Sequence, residues 1–336
     1  MAVKRGTSKG EMLTGTSRAD ELYGMGGADR IYANGGNDKV YGGDGNDGLY
    51  GQGGDDEIHG GAGMDKLVGD LGNDQLHGDD GNDWMTGGVG DDALFGGTGN
   101  DVLRGDAGND VLDGGAGDDN VAGGDGDDTI IHTARPSDGP VGGAEFYDGG
   151  AGLDTLVLDV QGVFPVDETE AGWIGVYVGQ DGGAIEYLTD PVEGSSIQVG
   201  QFRGIESFRL ADGSNGMEWS ASVDATVVGG NLGDIMEAGA GSQDMTGGGG
   251  GDRFVFRWRV GEDGGHDVVR GFDATEGDRL FWDNMPAHES DDPLVITSVE
   301  QDGHTLYTAT EIATGLVVHM VDVDAVGLPA PEIIMI

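Results

Sequence analysis

A nine-residue period runs from Gly15 to Ile131 without insertion and divides that stretch into thirteen nonapeptides. GGDGNDGLY (Gly42 to Tyr50), GGTGNDVLR (Gly96 to Arg104) and GGAGDDNVA (Gly114 to Ala122) are typical units. The sixth position is aspartate in all thirteen: Asp20, Asp29, Asp38, Asp47, Asp56, Asp65, Asp74, Asp83, Asp92, Asp101, Asp110, Asp119 and Asp128. The fourth is glycine in twelve, with Arg18 the exception. The eighth is always apolar, from Leu22 and Ile31 to Val121 and Ile130. An unbroken short period specifies a stack of like units, each in contact with its neighbours, rather than a single irregular core.

Each position has a physical task. Glycines at the first, second and fourth places allow positive φ and close approach of backbone to an ion. The last three residues form a short strand whose middle member points inward and whose neighbours point outward. Two nonapeptides make one coil, so residues 18 apart stack. Asp47 then lies over Asp65, and Asp56 over Asp74.

Those stacked carboxylates make composition matter. The formal charge is -47, with 63 acidic against 16 basic residues, and 71 of 336 residues are glycine. Without a period this composition would mean disorder. One inward apolar side chain per nine residues does not offset the entropy of ordering all nine, and the carboxylates repel one another. A divalent cation between stacked loops removes the repulsion and ties the coils together. Carboxylates and carbonyls are hard oxygen ligands. They select calcium or magnesium over zinc or copper, and a glycine-rich carbonyl cage suits calcium's larger shell. The charge excludes nucleic acid and anionic membranes as partners. No cysteine is present, and no apolar run has the length of a signal peptide or a membrane span.

The motif GGxGxDx(apolar)x resembles the repeats-in-toxin, or hemolysin-type calcium-binding, proteins. The resemblance implies an all-β fold: a right-handed parallel β-roll with additional β rungs and a C-terminal β cap. It implies that each calcium sits between one loop and the loop two repeats later, held by sixth-position aspartates and loop carbonyls. Sites would pair Asp29 with Asp47, Asp38 with Asp56, and so on to Asp110 with Asp128, about ten ions in all. The first unit, GTSRADELY, departs from the glycine pattern at Asp20, and ANGGNDKV lacks its first glycine at Ala33. Family members are exported by a type I (ABC) apparatus, which places the protein outside the cell or on its surface.

Residues 1–14 read as a lead-in too short for an N-terminal catalytic domain. Residues 132–228 read as a loop and irregular β region with one isolated unit, GGAGLDTLV (149–157), carrying Asp154 but no partner unit 18 residues away. The period returns in 229–282, where Asp234 and Asp252 are 18 apart, Gln243 stands where aspartate belongs and Asp244 is one place out of register. Gly265 to Val269 and Asp278 to Leu280 resemble the family's terminal cap, with Phe254, Phe256, Phe272, Leu280 and Trp282 covering the apolar end. Residues 283–336 hold three β-like runs and the tail PEIIMI, similar to a type I secretion region.

No enzyme is expected. His288-Glu289 lacks the second histidine of HExxH, and no G-x-S-x-G elbow occurs. His59 and His77 stack but have no third metal ligand, so they read as outward strand positions. Tyr23 over Tyr41 and Tyr32 over Tyr50 form ladders, which read as packing first and as a polysaccharide-binding surface second. Trp84, Phe95, Val102 and Val111 face outward and mark either where the later β region docks or a partner site. The expected function is an extracellular calcium-binding repeat protein that folds after export, in a structural, surface or matrix role. The alternatives are a polysaccharide-binding adhesin module or a hydrolase in 156–228.

Overall fold

The computed structural model of the protein describes residues 2–133, 145–159, 173–179, 182–190, 195–203, 205–210, 217–221, 224–230, 233–238, 242–258, 266–273, 278–284, 294–301, 304–311, 317–324 and 333–335. Among them every regular element is a strand. The chain divides into two compact units: Met1–Val157 with Val199–Ile205, and Leu158–Gln198 with Glu206–Ile336.

In the first unit, successive strands alternate between two parallel sheets. Each strand pairs with the strand two along: Glu21–Gly26 with Lys39–Asp44, and Arg30–Gly35 with Gly48–Gly53. The register is 18 residues, as in Leu22↔Val40 and Leu49↔Leu67. One coil is therefore two nonapeptides, as the period predicts. The strands are longer than three residues, because each runs on through the first three residues of the next unit. All thirteen eighth-position side chains are fully buried and form the core between the sheets.

The lead-in belongs to the roll. Val3–Arg5 pairs with Glu21–Gly26, and Met12–Thr14 with Arg30–Gly35, in the same 18-residue register. These residues form one more coil without the nonapeptide signature. Lys4 occupies the inward position opposite Leu22, and its Nζ donates to the Thr14 carbonyl. The interruption after Thr133 also leaves the roll intact. Glu145–Ala151 pairs with Asn120–Asp125, and Thr155–Asp159 lies beside Thr129–Thr133. One further rung follows, with Tyr147 opposite the buried Phe202.

The second unit builds parallel ladders of its own. One runs Trp173–Gly179, Met217–Ala221, Ile235–Ala238, Arg253–Trp258, Arg279–Asn284, Ile333–Met335. The other runs Ser207–Leu210, Ala225–Val228, Gln243–Thr246, His266–Arg270, Val317–Asp324. Leu294–Gln301, His304–Glu311 and Val317–Asp324 close it as an antiparallel meander. Phe254, Phe256, Phe272 and Leu280 lie buried within these rungs, and strands continue past them. They are core residues of the rungs rather than a lid over the last coil. The tail residues Ile333–Met335 form a strand.

Candidate metal columns

The aspartates of the repeat form two columns, and each is a ladder of hydrogen bonds. The backbone N–H of each aspartate donates to Oδ1 of the aspartate 18 residues on, as in Asp29 to Asp47 (2.7 Å), Asp56 to Asp74 (2.7 Å) and Asp110 to Asp128 (2.9 Å). The carboxylates are almost wholly buried. Their other oxygen is left over. Oδ2 of Asp29, Asp38, Asp47, Asp56, Asp65, Asp74, Asp83, Asp92, Asp101, Asp110 and Asp128 is buried with no hydrogen-bond partner. A buried carboxylate oxygen without a partner is costly, and a run of eleven asks for one common ligand.

The glycines show where that ligand would sit, and their three positions differ. The first-position glycine has no positive φ, but a Cβ on Gly42 would overlap both Asp47 Oδ2 and the carbonyl of Gly60, two units on. This is a small cradle lined by a carboxylate and a carbonyl. The second position has positive φ but tolerates side chains, as at Met25 (φ 78), Gln52 (φ 78) and Asp70 (φ 76). The fourth also has positive φ, and both positions lie against backbone 18 residues earlier: a Cβ on Gly61 would overlap the Gly43 carbonyl, and one on Gly63, at φ 139, the Gly45 carbonyl. L-residues reach φ near 75 at modest cost but rarely reach 139. That difference explains why the fourth place is nearly invariant. Arg18, the exception, does not adopt a positive φ.

Burial sets the proton affinity. It pushes Asp56, Asp83, Asp92, Asp119 and Asp128 up to about 7, and Asp38, Asp65, Asp74, Asp101 and Asp110 up to about 6. Asp29 and Asp47 are raised for the same reason. Asp20 is lowered, chiefly by the backbone N–H of Ala2 and the Thr16 hydroxyl. Thr16 donates to Asp20 Oδ2 from its backbone (2.6 Å) and its Oγ1 (2.8 Å). The departure GTSRADELY thus supplies its own donors where the other loops leave an oxygen bare.

Asp154 is not isolated. The Asp128 N–H donates to Asp154 Oδ1 at 2.9 Å across a step of 26 residues. The column continues across the eight extra residues. In the second unit, Asp234 donates to Asp252 (2.9 Å) and Asp252 to Asp278 (2.9 Å). Gln243 does occupy the aspartate position, and its N–H donates to Asp267 Oδ1 at 2.8 Å. Asp244 points outward to Arg270. Asp267 and Asp278 are buried column members that sequence reasoning passed over as ligands. The signal was the Asp-x-apolar spacing of Asp267 to Val269 and Asp278 to Leu280.

A second ladder also went unread. Fifth-position side chains accept from the N–H 18 residues later: Asp55 from Asn73 (3.0 Å), Asn73 from Asp91 (3.1 Å) and Asn109 from Asp127 (2.9 Å). It runs opposite in sense to the aspartate ladder. Its signal was Asn or Asp at the fifth place in all but Ala19, Ala28 and Met64.

The outward aromatic residues form a continuous stack. Tyr23, Tyr41, His59, His77 and Phe95 lie parallel with centroids 5.0, 5.1, 4.5 and 4.9 Å apart, and Arg5 covers the Tyr23 ring at 4.2 Å. Tyr32 and Tyr50 stack at 4.9 Å. Ring faces are taken up by one another, so mainly edges meet solvent. A sugar that packs on ring faces finds few available here. His288-Glu289 and residues 160–172 lie outside the described residues. Among the described residues no helix is long and apolar enough to cross a membrane.

All the donors converging in the cradles are carboxylate or carbonyl oxygens, which suit calcium. The residues present therefore fit the ion, and the aspartates from Asp29 to Asp128 would hold it. The family comparison agrees. The profile of the RTX calcium-binding nonapeptide repeat matches in four copies, over residues 14–49, 40–67, 59–94 and 95–130. No curated protein matches the chain. Among solved structures, the extracellular lipase LipA from Serratia marcescens is similar at 16% identity over 79% of this chain and 43% of the lipase, with a TM-score of 0.23. The chain spans less than half of that lipase's length. Residues 14–130 are RTX calcium-binding nonapeptide repeats, folded as a parallel β-roll.

Proposed function

We propose that this chain is a non-enzymatic extracellular protein whose roll folds on calcium after export by a type I pathway. The observation that carries the reading is the run of buried Oδ2 atoms without partners from Asp29 to Asp110. A chain that leaves so many carboxylate oxygens bare does not hold this fold at low calcium. In a low-calcium cytosol it stays unfolded and threadable. Outside, calcium at an affinity on the order of 10⁻⁴–10⁻³ M, as in extracellular modules, orders the loops. Bound calcium neutralises the columns and links each loop to the one two units on. The protein's own parts do the rest. The cradle glycines admit the ion, the Oδ1 ladder holds register, and the eighth-position side chains close the core. The role outside the cell is structural, at a surface or in a matrix.

Far-UV circular dichroism with calcium and with chelator tests the switch. A strand signal that appears only with calcium is expected. The same signal in chelator would reject the switch.

A further inference from the structure

The two aspartate columns of the first unit do not end alike. One continues from Asp128 to Asp154. On the other, Glu145 stands over Asp119, because Asn120 pairs with Phe146 and the Phe146 N–H donates to the Asp119 carbonyl at 2.9 Å. His132 holds the place of a first-position glycine, since Ile131 pairs with Asp113, whose next residue is Gly114. Tyr147 holds the eighth position, opposite Val121. All three side chains are buried, and they meet. His132 Nδ1 lies 2.5 Å from Glu145 Oε2 and 2.7 Å from Tyr147 Oη. Tyr147 Oη donates to the same Glu145 oxygen. An ionised carboxylate only accepts, so Nδ1 carries the hydrogen that faces it.

We propose that this imidazole–carboxylate–phenol cluster replaces the calcium ion at the last rung of its column. The inference rests on the calcium reading of the other rungs. Two observations support the replacement. In the regular loops the first-position residue is small, and its missing side chain opens the cradle beside the aspartate of its own unit; here an imidazole fills the equivalent space beside Glu145. In the regular loops Oδ2 has no donor; here the equivalent oxygen of Glu145 has two.

The substitutions fit one another. A glutamate, longer than aspartate by one methylene, reaches the imidazole. A tyrosine at an otherwise hydrocarbon position needs a buried partner for its hydroxyl, and Glu145 supplies it. Hydrogen-bond donors thus satisfy the buried carboxylate where a cation does so elsewhere. The column then carries ions beside each of its aspartates from Asp29 to Asp119 and stops at Glu145, while the opposite column runs on to Asp154.

The test is a crystal structure of the full chain grown in calcium, with ions located by anomalous scattering. Peaks are expected beside Oδ2 of each aspartate of this column from Asp29 to Asp119, with none in the cradle of His132 and Glu145. A calcium peak at that rung overturns the replacement and leaves the calcium reading standing. No peak anywhere in the roll removes the calcium reading itself, and this inference with it. A second measurement uses the double variant His132→Gly, Glu145→Asp. Equilibrium dialysis should find one more ion per chain than in the wild type, at unchanged strand signal. Equal counts in the two folded proteins would contradict the proposal.

Discussion

In the first unit, each nonapeptide sends one side chain inward, and none of those thirteen is aromatic. In the second unit, Phe208, Phe254, Phe256 and Phe272 are buried alongside Val227, Met236, Met245, Val269 and Leu280. The aspartates differ as well. Column steps in the first unit are 18 residues until a last step of 26 in each column; in the second unit they are 18, 24 and 26, and Gln243 interrupts one column. A rung with little apolar area and two columns of carboxylates leans on ions. A rung that buries phenylalanine leans on packing. Two stretches of one chain with the same coil path therefore have different requirements for metal.

The largest expected effect separates them directly. With chelator, amides in residues 15–157 should exchange hydrogen as an unfolded chain does, while those of Arg253–Trp258 keep protection. Hydrogen exchange read by mass spectrometry checks this. Equal loss in both units would erase the distinction.

Acid should reverse part of that loss. Burial holds Asp38 and the column carboxyls from Asp56 to Asp128 at about 6 to 7 in the folded roll. In the unfolded chain they titrate near 4. Their contribution to the metal-free fold is then complete below about 4 and disappears as pH rises through 6 to 7. In chelator, the strand signal should therefore grow from pH 8 to pH 5. A metal-free roll that is weaker at pH 5 than at pH 8 would contradict the burial of these groups.

Single substitutions sharpen the contrast. Phe254→Ala should cost about 3–5 kcal/mol in the second unit without changing the number of ions bound in the first. Asp65→Ala removes a carboxylate shared by two rungs. It should cost about 3 kcal/mol at calcium tenfold above the site dissociation constant, taken as about 1.4 kcal/mol for each site. Calcium-dependent thermal denaturation measures both.

A smaller effect tests the glycines. Gly63→Ala, at φ 139 and against the Gly45 carbonyl, should lose about 2 kcal/mol or more. Gly61→Asn, at φ 103 and against the Gly43 carbonyl but at a position type that holds Met25 and Gln52 at φ 78, should lose less than Gly63→Ala. Denaturant titration in calcium compares them.

The period made most of the first unit legible. Leu22 to Ile130 could be placed inward, and the pairing of Asp47 with Asp65 followed from two units per coil. Asp154 could not be placed, because an insertion of eight residues breaks the 18-residue spacing. His132 and Glu145 were unreadable for the same reason: their roles depend on register across that insertion. The fifth-position ladder was visible as composition, but its function appears only when Asp55 Oδ1 is seen accepting from Asn73. Met25 and Gln52 show that the second glycine answers to backbone conformation and the first to ion access, a division that glycine content alone conceals.

Calcium uptake by the purified full chain, followed by titration calorimetry up to millimolar calcium, tests the central claim most directly. The account predicts binding of several ions, accompanied by the heat and the gain of strand signal of a folding transition. A chain that takes up no calcium at those concentrations, whether folded or unfolded, would contradict it.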